Sequence, residues 1–352
     1  MKELRIKDIC EKGSSNLKQK DVEGKDGLYP VYGASGIISH IDTYHQDKNY
    51  IAIVKDGSGI GRVSFMPAKS SVIGTMQYIL PKEGFDINYI GYCLQSLDLS
   101  KYKQGAAIPH IYFRDYGERI VKVSEDLKDQ QSIVDYLDSA FAKIDAMKAN
   151  AEKALNEAKA LFQASLKEML EPKEGWEEKT LPEISENLDS IRKPVTKGKR
   201  TAGIYPYYGA SGIVDYVDDF LFDEDLLCIS EDGANLLMRT YPIAFPICGK
   251  VWVNNHAHVL RFESIVTQKY VEYYFSGLKL DEYITGAAQP KLTQKALNSI
   301  IINLPPTLDD QQSIVATLDS LKSKVDRLQE NFEKISQECD ALKQAILRQV
   351  FE

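Results

Sequence analysis

The sequence predicts an α+β fold with two pseudo-twofold-related globular domains, separated by two long antiparallel coiled-coil helices. The segment Asp129–Ser139 returns at Asp310–Ser320 with nine of eleven positions identical. The segment Tyr29–Ile37 returns at Tyr205–Ile213 with a single difference in nine positions. An Ala/Lys/Glu-rich run without Gly or Pro follows the first of these segments. The chain is therefore a tandem duplication in which each globular half is followed by one long helix.

The duplicated segments also give the expected domain boundaries. We expect two globular domains and two helical spacers, in the order first domain 1–125, first helix 126–171, second domain 172–308 and second helix 309–352.

The second helix carries a regular apolar seam. Its apolar residues alternate spacings of four and three from Ile314 to Ile346, a pattern held over more than four heptads and typical of a coiled coil. The first helix has an alanine-rich seam in the same phase, and small residues facing large ones allow two helices to approach closely. We therefore expect the two helices to pair, although two amphipathic core helices of one larger domain are an alternative. The predicted first seam contains Ile133, Leu137, Ala140, Ile144, Met147, Ala151, Ala154, Ala158 and Leu161.

Both helices have similar start signals. Asp126 and Thr307 are residues of the N-cap type, and each is followed three residues later by an aspartate, Asp129 or Asp310. A carboxylate in the first turn interacts favourably with the helix dipole. These residues predict where each helix begins.

The globular halves repeat one order of short elements. In the first half, Tyr50–Val54 and Arg62–Met66 are expected to pair as strands across a glycine-rich turn. The remaining expected elements are a strand at Val72–Leu80 and a helix at Ile87–Leu99, then in the second half strands at Leu226–Ser230 and Val251–Phe262 and a helix at Tyr270–Leu280.

Composition limits the function classes. The chain has 352 residues, a formal net charge of −8 and five scattered cysteines, and we expect a cytoplasmic protein with reduced thiols and no membrane segment. Basic and acidic residues nearly balance in residues 1–125, whereas acid exceeds base in both helices and in the second domain. A surface that binds nucleic acid would therefore be a local patch.

Two duplicated motifs supply candidate contacts. Each Tyr-Gly-Ala-Ser-Gly segment combines glycines that permit turns with hydroxyl groups that can bond phosphates or bases, and a buried turn shared by both copies is the alternative. Each Gly-Ala-Ala-x-Pro segment forms a second loop. The candidate DNA contacts in these segments are Tyr32, Ser35, Tyr208, Ser211, Gly105, Ile108, His110, Gly286, Gln289 and Lys291.

Basic residues precede each Tyr-Gly segment. A lysine- or arginine-bearing loop beside such a turn is a candidate phosphate clamp. These candidates are Lys18 and Lys20 in the first half and Arg192, Lys193, Lys197, Lys199 and Arg200 in the second.

No motif favours catalysis or a metal site. The glycines of Gly57–Gly61 lack the spacing of a nucleotide-binding loop and favour a hairpin turn. Asn303–Pro306 lacks the asparagine-to-proline adjacency and the aromatic residue of adenine methyltransferases. His256 and His258 have no nearby third ligand, which favours a hydrogen-bonded structural histidine over a metal ligand.

The chain closely resembles the specificity subunit of type I restriction–modification systems. The resemblance rests on three duplicated motifs and on the segment Gly249–Leu260. The motifs are Tyr-Pro-x-Tyr-Gly-Ala-Ser-Gly, Gly-Ala-Ala-x-Pro and Asp-Gln-Gln-Ser-Ile-Val. The resemblance covers the whole chain. It implies two target recognition domains that read a split, asymmetric site in double-stranded DNA, and helices that set the spacing. It also implies a non-catalytic chain without a cofactor, which docks two adenine methyltransferase subunits and, through them, restriction motor subunits. S-adenosylmethionine would be bound by the methyltransferase subunits.

Two other classes are alternatives. The chain could be an enzyme that combines such a specificity part with a methyltransferase or nuclease, or a coiled-coil scaffold that never touches DNA. Methyl transfer by the chain alone would identify the first class. Salt-dependent DNA binding separates the recognition subunit from the second.

Overall fold

The computed structural model describes residues 1–105, 109–286 and 289–352. The chain forms two compact units, residues 1–152 with 331–352, and residues 153–330. None of the helices in the described ranges is long and apolar enough to cross a membrane.

The first unit is built on a four-stranded antiparallel sheet of order β2-β8-β5-β6 and a three-stranded sheet of order β4-β3-β7, beside the pair β1-β9. The elements, in chain order, are β1 (Lys2–Arg5), α1 (Ile6–Ile9), β2 (Cys10–Ser14), α2 (Gln19–Val22), β3 (Tyr29–Gly33), β4 (Gly36–Ile41), β5 (Tyr50–Val54), β6 (Val63–Met66), β7 (Ser71–Val72), β8 (Met76–Pro81), α3 (Ile87–Ser96), α4 (Phe113–Tyr116) and β9 (Ile120–Val123). The helix α5 (Leu127–Leu170) begins in this unit, and its residues from 153 onward belong to the second unit.

Strand β5 is the centre of this unit. All five of its residues are buried, and alternate side chains point to opposite faces of the sheet. Ile51 and Ile53 belong to one apolar cluster with α3. Tyr50 and Val54 belong to a second cluster that includes Val72 of β7. The four-stranded sheet is therefore a layer between a helix and the smaller sheet.

The second unit repeats this plan, with sheets of order β11-β18-β15-β16 and β13-β12-β17-β14, beside the pairs β10-β21 and β19-β20. Its elements, in chain order, are β10 (Glu177–Thr180), α6 (Leu181–Ile184), β11 (Glu186–Asn187), β12 (Ala202–Gly209), β13 (Gly212–Val217), β14 (Phe222–Asp223), β15 (Leu226–Ser230), α7 (Asn235–Met238), β16 (Ala244–Ile247), β17 (Lys250–Val253), β18 (Ala257–Arg261), α8 (Ile265–Gly277), β19 (Ile284–Thr285), β20 (Lys291–Leu292), α9 (Gln294–Asn298) and β21 (Ile301–Leu304). The helix α10 (Leu308–Phe351) begins in this unit, and its residues from 331 onward belong to the first unit.

The strand register is the same in the two four-stranded sheets. Ile53 pairs with Gln77 in the first unit, and Ile229 pairs with His258 in the second. The parallel pair β3-β7 likewise has its counterpart in β12-β17. The predicted α+β class with a duplicated globular domain is thus confirmed.

Two expected elements are wrong in detail. The single strand expected at Val72–Leu80 is two strands in different sheets, because the chain turns at Gly74, whose amide donates to the Leu17 carbonyl at 2.7 Å. The strand region expected at Val251–Phe262 likewise contains two strands, β17 and β18, which lie in different sheets.

Both long helices begin at the predicted caps. The Asp126 carboxylate accepts from the Lys128 and Asp129 amides at 2.7 and 3.2 Å. The Thr307 hydroxyl accepts from the Asp310 amide at 3.1 Å.

The helices run antiparallel within the first unit. Lys343 Nζ lies 2.6 Å from Asp145 Oδ1, and Lys148 Nζ lies 3.6 Å from Asp340 Oδ1. Residue numbers therefore decrease along α10 in the direction in which they increase along α5. This agrees with the expected antiparallel pair.

The predicted seam of α5 is confirmed at Leu137 and Ile144, which are buried, and is wrong in phase at Met147 and Leu161. Met147 and Leu161 are both 59% exposed, whereas Leu155 is buried and Phe162 packs against the core of the second unit. The predicted seam and the observed seam both contain Ile144 and several alanines. The apolar pattern alone therefore did not show which of the two seams is buried. Burying the larger Leu155 and Phe162 side chains removes more apolar area from water, which favours the observed phase.

Candidate nucleic-acid interface

Three segments meet at the end of β5 in the first unit. Arg62 Nη1 donates to the carbonyl of Ala34 in the Tyr-Gly turn at 2.9 Å. The Gly57 amide donates to the Pro109 carbonyl at 3.4 Å, in the loop that follows Gly105. The two duplicated motifs are thus joined through the connection between β5 and β6. We call the described residues 33–36, 55–62, 104–105 and 109–110 the first loop cluster.

The second unit has the equivalent arrangement at the end of β15. Ser230 Oγ donates to the carbonyl of Ala210 in its Tyr-Gly turn. The Gly233 amide donates to the Pro290 carbonyl at 3.0 Å. The described residues 209–212, 230–233, 286 and 289–292 form the second loop cluster. Each unit therefore brings residues of both duplicated motifs together.

The Tyr-Gly turns combine structural and accessible residues. Tyr32 and Tyr208 are half-buried, and the Tyr208 ring stacks on Phe245 with 6.1 Å between centroids. The turns need glycine at Gly36 and Gly212, where φ is +120° and +119°. Ser35 and Ser211 are exposed beside these glycines and are free to contact a ligand.

The Gly-Ala-Ala-x-Pro loops begin at equivalent glycines. Gly105 and Gly286 both have φ of +86°, and a Cβ on Gly286 would lie 2.4 Å from the Gln289 carbonyl oxygen. Gln289 is exposed. Ile108, a predicted contact, lies outside the described residues.

The residue after each proline is polar. His110 is partly exposed, with Nδ1 bonded to an Asp56 carboxylate oxygen. Lys291 is 49% exposed, with Nζ 3.0 Å from Glu231 Oε1. The sequence analysis missed both acids, although an Asp-Gly pair, one residue beyond the end of each central strand, indicated that this loop repeats.

Arg192 has an internal role. Its side chain is only 11% exposed, and its guanidinium lies 3.1 Å from Asp189 and 2.7 Å from Glu231. It also donates to the Ala257 carbonyl at 2.6 Å. These internal bonds occupy the Arg192 guanidinium, so it is not available to bind a phosphate.

The rest of the basic loop is held firmly against β12 and β17. Trp252 Nε1 donates to the Lys193 carbonyl at 2.7 Å, and the Val195 amide donates to the Tyr207 hydroxyl at 2.9 Å. Arg200 lies 4.2 Å above the Tyr207 ring and bonds Asp215 at 2.9 Å. The loop backbone is thus fixed by hydrogen bonds within the unit.

Three lysines project from this fixed loop. Lys193, Lys197 and Lys199 are exposed, and within the described part of the chain their ammonium groups form no ion pair. Such groups can neutralise phosphates without first breaking internal bonds.

Lys18 and Lys20 occupy a similar segment in the first unit. Both are exposed at the start of α2. Their segment is tied to the Tyr-Gly hairpin, because Ser39 Oγ donates to the Lys25 carbonyl at 3.0 Å.

A cluster of buried, charged side chains lies next to the second loop cluster. Asp189, Glu231 and His258 place three potential ligand atoms within 4.8 Å of one another. Arg192 and Lys291 already neutralise these carboxylates, and these two cations oppose binding of a metal ion.

His258 is the structural histidine that the sequence favoured. Its Nδ1 lies 2.6 Å from Asp189 Oδ2 and its Nε2 lies 2.8 Å from the Leu292 carbonyl oxygen. Both ring nitrogens therefore face acceptors, and the ring links the buried charges to β20.

The carboxylates of this group are held ionised. Burial raises the pKa of Asp189, but hydrogen bonds from His258 and the nearby Arg192 charge outweigh it and hold the pKa below its ordinary value. For Glu231, burial is likewise outweighed by hydrogen bonds from Arg192 and Lys291, so its pKa is also lowered.

Comparison with known proteins relates the chain to DNA specificity proteins. The model of the type I restriction modification DNA specificity domain matches residues 1–157 and 173–337. A type I restriction enzyme specificity subunit from Haemophilus influenzae is 35% identical to this chain over 157 residues. This match covers 44% of this chain and 40% of that protein. The match therefore spans less than half of that relative.

Solved structures share the fold at low sequence identity. One of them comes from a study of complex assembly and conformational transition in a type I restriction–modification system. It has a TM-score of 0.72 and 16% sequence identity, and the match covers 98% of this chain and 96% of the other. The HsdS subunit from Thermoanaerobacter tengcongensis has a TM-score of 0.55 with 16% identity, over 98% and 95% of the chains.

The family model covers both globular units, and its two matches reproduce the duplication seen in the sequence. The chain belongs to the type I restriction–modification DNA specificity family.

Proposed function

We propose that the chain reads a bipartite, asymmetric site in double-stranded DNA, with one half-site for each unit. The observation that carries this proposal is the pair of loop clusters, which share a backbone arrangement but differ in side chains. His110 occupies the position of Lys291, so the two units offer different hydrogen-bonding groups at the same place. Different groups at equivalent positions would select different bases.

The role of the chain is recognition and not catalysis, in keeping with its family. It requires no cofactor of its own. We expect it in the cytoplasm, together with its DNA.

We further propose that the chain docks two adenine methyltransferase subunits, which bind S-adenosylmethionine, and through them restriction motor subunits. The duplicated Asp-Gln-Gln-Ser-Ile-Val segments offer two equivalent positions, where Gln131 and Gln312 are exposed. One of the solved structures with this fold comes from work on assembly of such a system. Mass measurement should give two methyltransferase copies for each chain, and a single copy at saturation would contradict this stoichiometry.

The test is to purify the chain with its methyltransferase and map the methylated adenines. A split motif with two specified blocks is expected. The chain alone should transfer no methyl group to duplex DNA, and transfer by the chain alone would instead indicate a combined enzyme. DNA binding without salt dependence or sequence preference would favour the scaffold class.

A further inference from the structure

The residue after the proline of each Gly-Ala-Ala-x-Pro loop is held by an acid from the neighbouring loop. His110 follows Pro109, and Lys291 follows Pro290. The two positions are equivalent, because the next residue donates its amide to the end of the central strand in both units: Ile111 to Lys55 at 3.0 Å and Leu292 to Glu231 at 2.7 Å.

In the first unit the partner is Asp56. Its carboxylate can only accept, so the hydrogen of a neutral His110 ring is on Nδ1 and Nε2 is an acceptor. The ring also packs on Tyr112, with centroids 4.1 Å apart. The His110 side chain is 26% exposed, and its Nε2 has no partner in the described ranges. The ring is therefore fixed in one orientation with an acceptor unused.

In the second unit the partner is Glu231. Its Oε1 lies 3.0 Å from Lys291 Nζ, while its Oε2 is 2.7 Å from Arg192 Nη1. The Glu231 side chain is only 11% exposed, whereas that of Lys291 is 49% exposed. The lysine thus keeps further N–H donors while its position is set by a buried carboxylate.

The two acids occupy different positions of the repeated unit. Glu231 is equivalent to Lys55, and Asp56 is equivalent to Asp232. Asp232 bonds His256 at 2.9 Å instead of Lys291. The residue after each proline is therefore paired with an acid in both units, but the acid comes from a different position of the loop.

We propose that Asp56 and Glu231 are positioning residues that aim His110 and Lys291 at base edges in the major groove. This inference rests on the proposed function and deepens it. The His110 Nε2 accepts from the exocyclic amine of adenine or cytosine, and the Lys291 ammonium donates to O6 and N7 of guanine. The two units thus read bases of opposite hydrogen-bonding character.

Asp56→Asn tests the first half of this proposal. An amide can donate to Nδ1 and so permit the tautomer with hydrogen on Nε2, which converts the acceptor to a donor. In the full chain with its methyltransferase, discrimination at one base pair should fall roughly tenfold, with preference moving toward guanine or thymine. The other half-site should be unchanged.

Glu231→Gln is the matched variant in the second unit. It should relax guanine selection at one base pair of the other half-site and leave the first half-site intact. Because Glu231 also pairs with Arg192, Lys291→Met is the second variant, and it should relax the same base pair without removing the buried carboxylate.

The measurement is competition binding against every single-base variant of the mapped site, with thermal unfolding to show that each variant is folded. An unchanged profile for folded Asp56→Asn, or an equal loss for every DNA variant, would overturn the positioning role and leave the proposed function standing. If the wild-type chain shows no preferred site, both the positioning role and the proposed function are wrong.

Discussion

The ring of Phe351 packs against the ring of Tyr89, with 5.2 Å between the centroids. Phe351 lies in the last turn of α10 and Tyr89 lies in α3, and both are buried in the apolar core of the first unit. Leu347 of α10 joins the same core. The last turns of α10 therefore complete a domain whose strands come from the beginning of the chain.

Phe351→Ala should destabilise the first unit by about 3–5 kcal/mol, because it removes a buried ring and leaves a cavity. Chemical denaturation followed by circular dichroism measures this loss. Leu342→Ala is the matched control on the same helix, since Leu342 is 48% exposed, and it should change stability by less than about 0.5 kcal/mol. Equal effects of the two substitutions would contradict this packing.

The duplicated glutamines hold the start of each long helix. Gln130 is fully buried, and its Nε2 donates to the carbonyls of Gly84 and Ser124 at 2.9 and 3.0 Å. Gln311 is also buried and donates to the Pro305 carbonyl at 3.1 Å. Part of the duplicated motif is thus explained by folding.

Gln130→Ala should cost about 3 kcal/mol, because it leaves buried and partly buried backbone groups without their partners. Gln131→Ala changes the exposed neighbour and should leave stability nearly unchanged. A thermal unfolding series of both variants decides this, and similar melting temperatures would show that Gln130 does not hold the helix start.

The second unit should lose stability in acid. Asp189 faces His258 and Arg192, and Glu231 faces Arg192, His258 and Lys291. Both carboxylates have folded pKa values below their unfolded values of about 4. The unfolded state therefore binds more protons near and below pH 4, and the stabilisation present above that pH is lost as pH falls through the folded values.

Melting temperatures measured from pH 7 to pH 3 should show this loss for the wild type. Asp189→Asn should have a lower melting temperature at pH 7, and its melting temperature should fall less steeply as the pH is lowered. If the melting temperature of this variant falls with pH as steeply as that of the wild type, Asp189 is not a source of the pH dependence of stability.

Lys199→Ala should weaken binding to all DNA sequences alike and reduce the salt slope by about one unit, because it removes one phosphate contact. Binding isotherms at several salt concentrations measure the slope. Lys159 lies on α5 and bonds Gln329 at 2.8 Å, so Lys159→Ala serves as a surface control. An unchanged slope for Lys199→Ala would remove this residue from the DNA contact surface.

The repeated plan of the fold could be read from the sequence, because strand β5 and its counterpart β15 are uninterrupted apolar runs next to turn signals. The predicted bounds Tyr50–Val54 and Leu226–Ser230 match the structure. The break at Gly74 was missed, because continuous apolar residues do not show which of two sheets a strand joins.

The candidate site was only partly predictable. The duplicated motifs identified the loops that meet, but charge alone did not distinguish buried Arg192 from exposed Lys197. That difference depends on Asp189 and Glu231, which are separated from each other in sequence and meet only in the folded unit. The pairing of Asp56 with His110 was missed for the same reason.

The most direct test of separate reading by the two units is a competition series for Gln289→Ala over every single-base variant of the mapped site, at two salt concentrations. Gln289 is exposed in the second loop cluster, and glutamine suits paired hydrogen bonds to adenine. We expect a loss of about 1–3 kcal/mol of discrimination at one base pair of one half-site, with the other half-site unchanged. An equal loss of affinity for all variants would contradict base reading by this loop.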